Sequence, residues 1–219
     1  LVYGTEIDHA NTAMFGPGTG DHKAGGLKIS HSVGATIRKV NVHDNPIGLW
    51  CDISCANMTI DSSTIANNSR RGVQYEISYG CRIANNVVTG NGRGEGGSSG
   101  AGVWIAQSTD CKVVDNEFRD NNVAVMGTDR DRGTGTQGVY QLTGLLVTGN
   151  RIRQMSGTAG GIQDQSSARN PYAAGANNRY TGNRYECGTG TRWHWENTPV
   201  GRSTWLQEGN DSGASFAGC

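Results

Sequence analysis

The chain has 219 residues, and its 19 Lys plus Arg are matched by 19 Asp plus Glu, so no net field draws it toward nucleic acid or anionic lipid. Only 35% of residues are hydrophobic while 34 are Gly, which is thin for a two-layer globular core but natural where each short coil buries a few aliphatics. No run of about 18 apolar residues is present, so no membrane-spanning helix is expected.

Taken in order, the first eleven residues hold Val2-Tyr3-Gly4-Thr5-Glu6-Ile7, an incomplete first coil. No signal peptide is visible, and because Leu1 is not Met a mature or trimmed form is expected. Residues 15–23 follow as a loop rich in Gly and Pro. Then the chain begins to repeat. Gly48-Leu49-Trp50-Cys51-Asp52-Ile53-Ser54 is answered by Gly72-Val73-Gln74-Tyr75-Glu76-Ile77-Ser78, and each is followed by a second apolar segment and a closing Asn, at Asn68 and Asn91. Ile37, Ile60 and Ile83 are spaced by 23 residues (60−37 and 83−60). Gly26-Leu27-Lys28-Ile29-Ser30 is an earlier copy and Gly102-Val103-Trp104-Ile105-Ala106 a later one, with looser coils around Val123–Asn150 and Gly161–Asn183. There the anchors separate to 30 and 34 (113−83, 147−113), which places inserted loops at 91–101, 128–141 and 166–176 without moving the strands.

A fixed period of this size, built from short strands and Asn/Gly turns, marks a solenoid. Asn86, Asn116, Asn150 and Asn183 recur at one turn and Asn45, Asn68, Asn91 and Asn121 at another, where stacked amides bond from rung to rung and Asn tolerates the left-handed turn. The fold expected is an all-β, right-handed parallel β-helix of about six coils of 22–24 residues. As one domain it divides into 1–25 (incomplete coil and loop), 26–186 (coils) and 187–219. The last segment carries Trp193, Trp195 and Trp205, suited to covering an open solenoid end. No such cover precedes Leu1, so something upstream or a neighbouring molecule is expected there, which makes end-to-end self-association one reading.

The six Cys include no CxxC pair, against structural zinc. Cys81 and Cys111 each stand two before an anchor, at Ile83 and Val113, so they stack on neighbouring rungs within disulfide reach; Cys187 and Cys219 flank the C-terminal segment. Disulfides favour an extracellular or periplasmic home, though several Cys would also serve as small buried hydrophobes.

Strand alternation sorts each coil's first strand. Leu27, Leu49, Val73, Val103, Val125 and Ile162 face in, so Lys28, Trp50, Gln74, Trp104, Met126 and Gln163 face out. Ser30, Asp52, Glu76, Ala106 and Thr128 form the next outward column. One exposed face therefore joins Lys28, Trp50, Asp52, Gln74, Glu76 and Trp104. Asp52 and Glu76 on adjacent rungs suit glycoside hydrolysis or, alternatively, oxygen ligation of Ca2+, with Lys28 a base or a salt-bridge partner. Exposed Trp50 and Trp104 offer flat faces to sugar rings. Arg130 and Arg132, alternating with Asp129 and Asp131, lean over the strip toward an anionic ligand or pin their own loop. A ladder that merely solubilises the sheet is the plainer alternative. His9, His31 and His43 are scattered between turns and carry no catalytic assignment.

The series Ala24-Gly25-Gly26-Leu27-Lys28, Val42-His43-Asp44-Asn45, Gly48-Leu49-Trp50-Cys51-Asp52, Glu76-Ile77-Ser78-Tyr79, Asp129-Arg130-Asp131-Arg132-Gly133 and a late Trp205 resembles the bacterial secreted right-handed parallel β-helix repeat proteins, related in fold to pectate lyases and polygalacturonases. The resemblance implies a polysaccharide lying on the exposed face that carries Lys28, Asp52 and Glu76. It departs from both enzyme groups in lacking the cluster of several Asp with an Arg base of the first. For the Asp set with a nearby His of the second, only Asp52 and Glu76 stand in. Two functions follow: a polysaccharide-binding β-helix acting as lyase or hydrolase, or a non-enzymatic structural or adhesive solenoid.

Overall fold

The computed structural model describes residues 1–11, 24–95, 99–190 and 192–219. The loop expected at 15–23, and positions 96–98 of the insertion expected at 91–101, lie outside them. Each repeat lays down three short strands, as in Ile47–Asp52, Ala56–Asp61 and Thr64–Ala66. Successive repeats stack these into three parallel sheets, giving a right-handed parallel β-helix. The first sheet has seven strands, from Val2–Tyr3 to Arg179–Thr181; the second has eight, from Glu6–Asp8 to Ser215–Ala217. The third runs from Leu27–Ser30 to Trp193–Trp195 and ends on one antiparallel strand, Thr198–Val200.

Period-2 alternation sends every second side chain into the coil, where like stacks on like. Ile37, Ile60, Ile83, Val113, Val147 and Tyr180 form one interior column. Val42, Ile65, Val88, Phe118, Ile152 and Tyr185 form another. All of these are buried. The columns turn from aliphatic to aromatic toward the C-terminal end. There Trp205, on the α-helix Arg202–Gln207, stacks at 6.0 Å on Trp193 and meets Tyr180 edge-on. The three Trp close the coil as buried side chains.

The corners between the first and second sheets are two residues long, as at 62–63 and 85–86. There Ser62, Asn85, Asp115, Gly149 and Gly182 take positive φ, and the residue after each turns its side chain inward. Asn86 Oδ1 accepts the Ser63 backbone N–H, and Asn86 Nδ2 donates to Asn116 Oδ1 at 2.9 Å. Asn116 donates to Asn150, and Asn150 to Asn183. The row ends on Asp211, which accepts Asn183 Nδ2, Tyr185 OH and Trp205 Nε1; burial raises this carboxyl's pKa. The second row runs Asn45, Asn68, Asn91, Asn121 and finishes on Gln154. Beneath it only glycine fits at position 48, because a Cβ there would come within 2.6 Å of the Gly72 carbonyl oxygen and 2.9 Å of Asn68. At the corner from third to first sheet the left-handed residue is His31, Ile53, Ile77 and Gln107 in turn, each non-glycine costing about 1 kcal/mol or more.

Disulfides join Cys81 to Cys111, Cys187 to Cys219 and Cys51 to Cys55. The last closes the Ile53 corner and has no counterpart among the expected pairs. Two other expectations are corrected. Gln163 lies beside Thr128, not Met126, because Gly127 pairs with Ile162; the slip of two residues keeps Ile162 inward. Gly127 leaves room for Leu142 and Leu145, which a Cβ would meet at 2.9 Å. The insertion expected from 128 begins later, since the strand Val125–Arg130 continues through Asp129.

Ile83→Ala should cost roughly 2–5 kcal/mol through lost burial and the cavity left behind, read in a denaturant titration; a surface-like loss under about 0.5 kcal/mol contradicts the inward register. A second expectation concerns pH. His43 sits between Glu6 Oε1 at 2.8 Å and Asp44 Oδ2 at 2.7 Å, tying the first coil to the second, and the Glu6 and then the Asp44 hydrogen bonds raise its pKa. It binds its proton more tightly folded than unfolded, so this contribution is complete below about pH 6.5 and fades as pH climbs through the raised folded value. The Tm difference between wild type and His43→Gln should accordingly shrink from pH ~6 to pH ~9. A difference independent of pH removes the link.

Candidate functional site

The third sheet's outer face positions the residues singled out by alternation. Lys28, Trp50, Gln74, Trp104 and Met126 are direct neighbours across five rungs. Ser30, Asp52, Glu76, Ala106 and Thr128 form the next column in the same register. Asp52 and Glu76 thus stand on adjacent rungs.

The strip is packed, not open. Trp50 and Trp104 are only 6% and 5% exposed, which corrects the expectation of bare aromatic platforms. Lys28 Nζ lies 3.5 Å from the Trp50 ring centre, and the Arg71 guanidinium 4.0 Å from that of Trp104. Long cationic side chains cover the rings because an indole face attracts cations and sheds water on contact. Trp104 Nε1 donates to Thr128 Oγ1 at 2.9 Å, whereas buried Trp50 Nε1 has no acceptor among the described residues.

The carboxylates are engaged as well. Lys28 Nζ is 2.8 Å from Asp52 Oδ2. Arg132 Nη1 donates to Glu76 Oε1 at 2.8 Å, and Gln74 Nε2 to Glu76 Oε2 at 2.7 Å. Gln74 in turn accepts Arg71 Nη1 at 2.8 Å. Arg71, Gln74, Glu76 and Arg132 therefore form one relay across the floor, with Lys28 and Asp52 beside it. The repulsion expected between two carboxylates on neighbouring rungs is offset by these cations. A Ca2+ ion does not fit: it would have to displace Lys28 or Arg132, and among the described residues no group of three or more His, Cys, Asp or Glu gathers to hold a metal.

Two walls flank the floor. On one side, Arg70 forks onto Glu95, and Arg71 donates to the Ser99 carbonyl. Burial lowers the Arg71 pKa to about 10, so it stays cationic at neutral pH. On the other side the chain after Arg130 forms a hairpin, Thr134–Gly135 with Gly138–Val139. It folds back across the coils: Tyr140 stacks on Tyr79 at 5.5 Å, Tyr79 OH donates to the Gly138 carbonyl, and Tyr140 OH meets Ser54 Oγ. Of the run 129–132, Asp129 and Asp131 both clamp Arg169 from the following insertion. Arg132 reaches Glu76, and Arg130 lies 6.0 Å from the Trp104 ring. The run pins its loop both to neighbours and to itself, since Asp129 Oδ1 also accepts the Arg130 and Leu142 backbone N–H groups.

Arg71 escaped the sequence reading because it precedes the coil-start glycine, ahead of the positions that alternation sorted; it pairs with Ile47 and Ala101, and its side chain lies on the outer face against Gln74 and Trp104. An Arg in that apolar column was the available signal. Tyr79, Tyr140 and Ser54 carried none, being far apart in the chain.

The family described as right-handed β-helix region matches residues 3–118, more than half of the chain. The chain belongs to that family. No curated protein matches it. For this β-helix, then, fold membership is fixed while the chemistry rests on the strip itself.

If the Tyr79–Tyr140 stack anchors the hairpin, Tyr140→Ala should raise the rate of tryptic cleavage at Arg130 and Arg132 by about tenfold, the equivalent of ~1.4 kcal/mol. Unchanged cleavage would mean that Arg132–Glu76 and Asp129–Arg169 hold the wall alone.

Proposed function

We propose that this β-helix is an extracytoplasmic polysaccharide-binding protein whose ligand lies along the third-sheet strip between the two walls. The observation carrying this is the arrangement of cations above carboxylates. The Lys28 and Arg132 side chains are 37% and 40% exposed, while Asp52 and Glu76 beneath them are 12% exposed. An approaching polymer meets cations first, so acidic sugars are favoured, with Arg130 adding charge at the edge. Sugar carboxylates that recruit Lys28 and Arg132 release Asp52 and Glu76. The freed pair is then placed for general acid–base work on a glycosidic bond, as lyase or hydrolase. Gln74, Trp50 and Trp104 form the packed floor beneath the ligand, holding Glu76, Lys28 and Arg71 in place. The three disulfides and the absence, among the described residues, of a helix long and apolar enough to cross a membrane support the extracytoplasmic setting.

A second reading, a structural or adhesive solenoid associating end to end, draws on the first coil, where Leu1 is 89% and Tyr3 55% exposed.

The deciding experiment screens uronate and neutral glycans for binding, new reducing ends and absorbance of unsaturated products. Asp52→Asn and Glu76→Gln should each keep the fold and lower turnover by about 10²-fold or more. The double variant should lose little further, because groups acting as a unit are not additive. Full activity in both single variants abandons the pair. Absence of any glycan binding, with concentration-dependent association in sedimentation, transfers the assignment to the structural solenoid.

A further inference from the structure

On the first sheet, away from the strip, the outer face carries a hollow of about 400 Å3 lined by Asn57, Thr59, Gly80, Arg82, Asp110 and Lys112. Its origin is local. Asn57, Gly80 and Asp110 occupy the same register position in three successive coils, flanked by the aligned triplets Ala56, Tyr79, Thr109 and Met58, Cys81, Cys111. All three have left-handed backbone, with φ of 54°, 58° and 54°. The Asn57 amide oxygen leans over Gly80, 2.7 Å from where a Cβ would stand. The missing Cβ at Gly80 lets the Asn57 amide oxygen lie across the floor of the hollow.

Arg82 and Lys112 border that floor as direct partners on adjacent rungs. Like charges set opposite one another in a sheet destabilise it unless an anion lies between. Several cations on the other two sheets are neutralised by carboxylates. On the second sheet Arg119 holds Glu117, and Arg151 and Arg184 hold Glu186; on the third, Lys28 and Arg132 hold Asp52 and Glu76. Arg82 and Lys112 make no such pair among the described residues. Asp61, whose pKa feels the charge of Arg82 only weakly, is taken by Asn85 at 2.8 Å and Arg38 at 3.0 Å. The hollow also presents acceptors, the Asp110 carboxylate and the Asn57 amide oxygen. Acceptors repel a bare anion but suit an anion that brings its own hydroxyl donors.

We propose that this hollow binds one residue of an acidic glycan. Arg82 and Lys112 bridge its oxyanion, a carboxylate or a sulfate ester, while Asp110 and Asn57 accept its ring hydroxyls. The site stands on a different sheet from the strip and does not depend on the reading given to Asp52 and Glu76.

Calorimetric titration with a uronate oligosaccharide, a sulfated dextran oligosaccharide, a neutral dextran oligosaccharide and inorganic sulfate tests it. Either acidic oligosaccharide should lose about tenfold or more in affinity in Arg82→Gln/Lys112→Gln. The charge-matched control Arg153→Gln/Arg184→Gln on the second sheet should change it by less than about twofold. Which acidic oligosaccharide binds distinguishes carboxylate from sulfate ester. Asp110→Ala should weaken the oligosaccharide and not inorganic sulfate. The proposal is overturned by equal losses in the two double variants, by inorganic sulfate binding as tightly as the oligosaccharides, or by no acidic oligosaccharide binding at all.

Discussion

The structure depends on a buried amide that is satisfied from both neighbouring rungs. A coil that turns three times in some 23 residues must bury backbone N–H and C=O groups at its corners, and each left unpaired costs about 1–3 kcal/mol. Asn116 shows the solution. Its Oδ1 accepts the backbone N–H and the side-chain amide of Asn86, while its own Nδ2 reaches the Ile83 carbonyl and the next amide, Asn150. The bond that pays for the corner also fixes how one rung sits on the next. Because the register is locked there, the outward columns of the third sheet run straight, and Asp52 meets Glu76 instead of slipping past it.

That same lock explains what could be read from the sequence. Recurrent Ile, Asn and Gly are local signals with a fixed period, so the coil, its first two strands with their inward columns and the two amide rows were legible, whereas the short third strand, as at Thr64–Ala66, was not. So were the residues of the strip, as identities in a column. Their state was not. Whether Trp104 lies bare depends on Arg71, three residues before Gln74 on the preceding rung, and whether Glu76 is free depends on Arg132, 56 residues later. Long side chains choose partners across rungs by charge and packing, and strand periodicity carries no information about them. The Gln163 slip arose similarly, where insertions on both sides removed the fixed spacing.

The three faces of the solenoid have been given different electrostatic characters by one backbone. The second sheet wears an exposed Arg–Glu ladder, in which each pair contributes little to stability. The third sheet sets half-exposed Lys28 and Arg132 over buried carboxylates and indoles, where the contacts order the side chains. The first leaves two cations facing a hollow. Such division is open to a solenoid because outward positions bear almost none of the core's packing, so each face varies without disturbing the rungs.

The hairpin wall has one further effect. Most contacts in this chain join residues about one coil apart, yet Tyr140 and Ser54 are 86 positions apart and lie several rungs from one another. A stack of repeats coupled only to nearest neighbours unzips from its ends by degrees. The hairpin instead ties the middle of the stack to an early rung, like a staple through several pages. Rungs beneath it cannot open singly, so amide exchange there should proceed as one cooperative unit, while the coils outside its span fray independently.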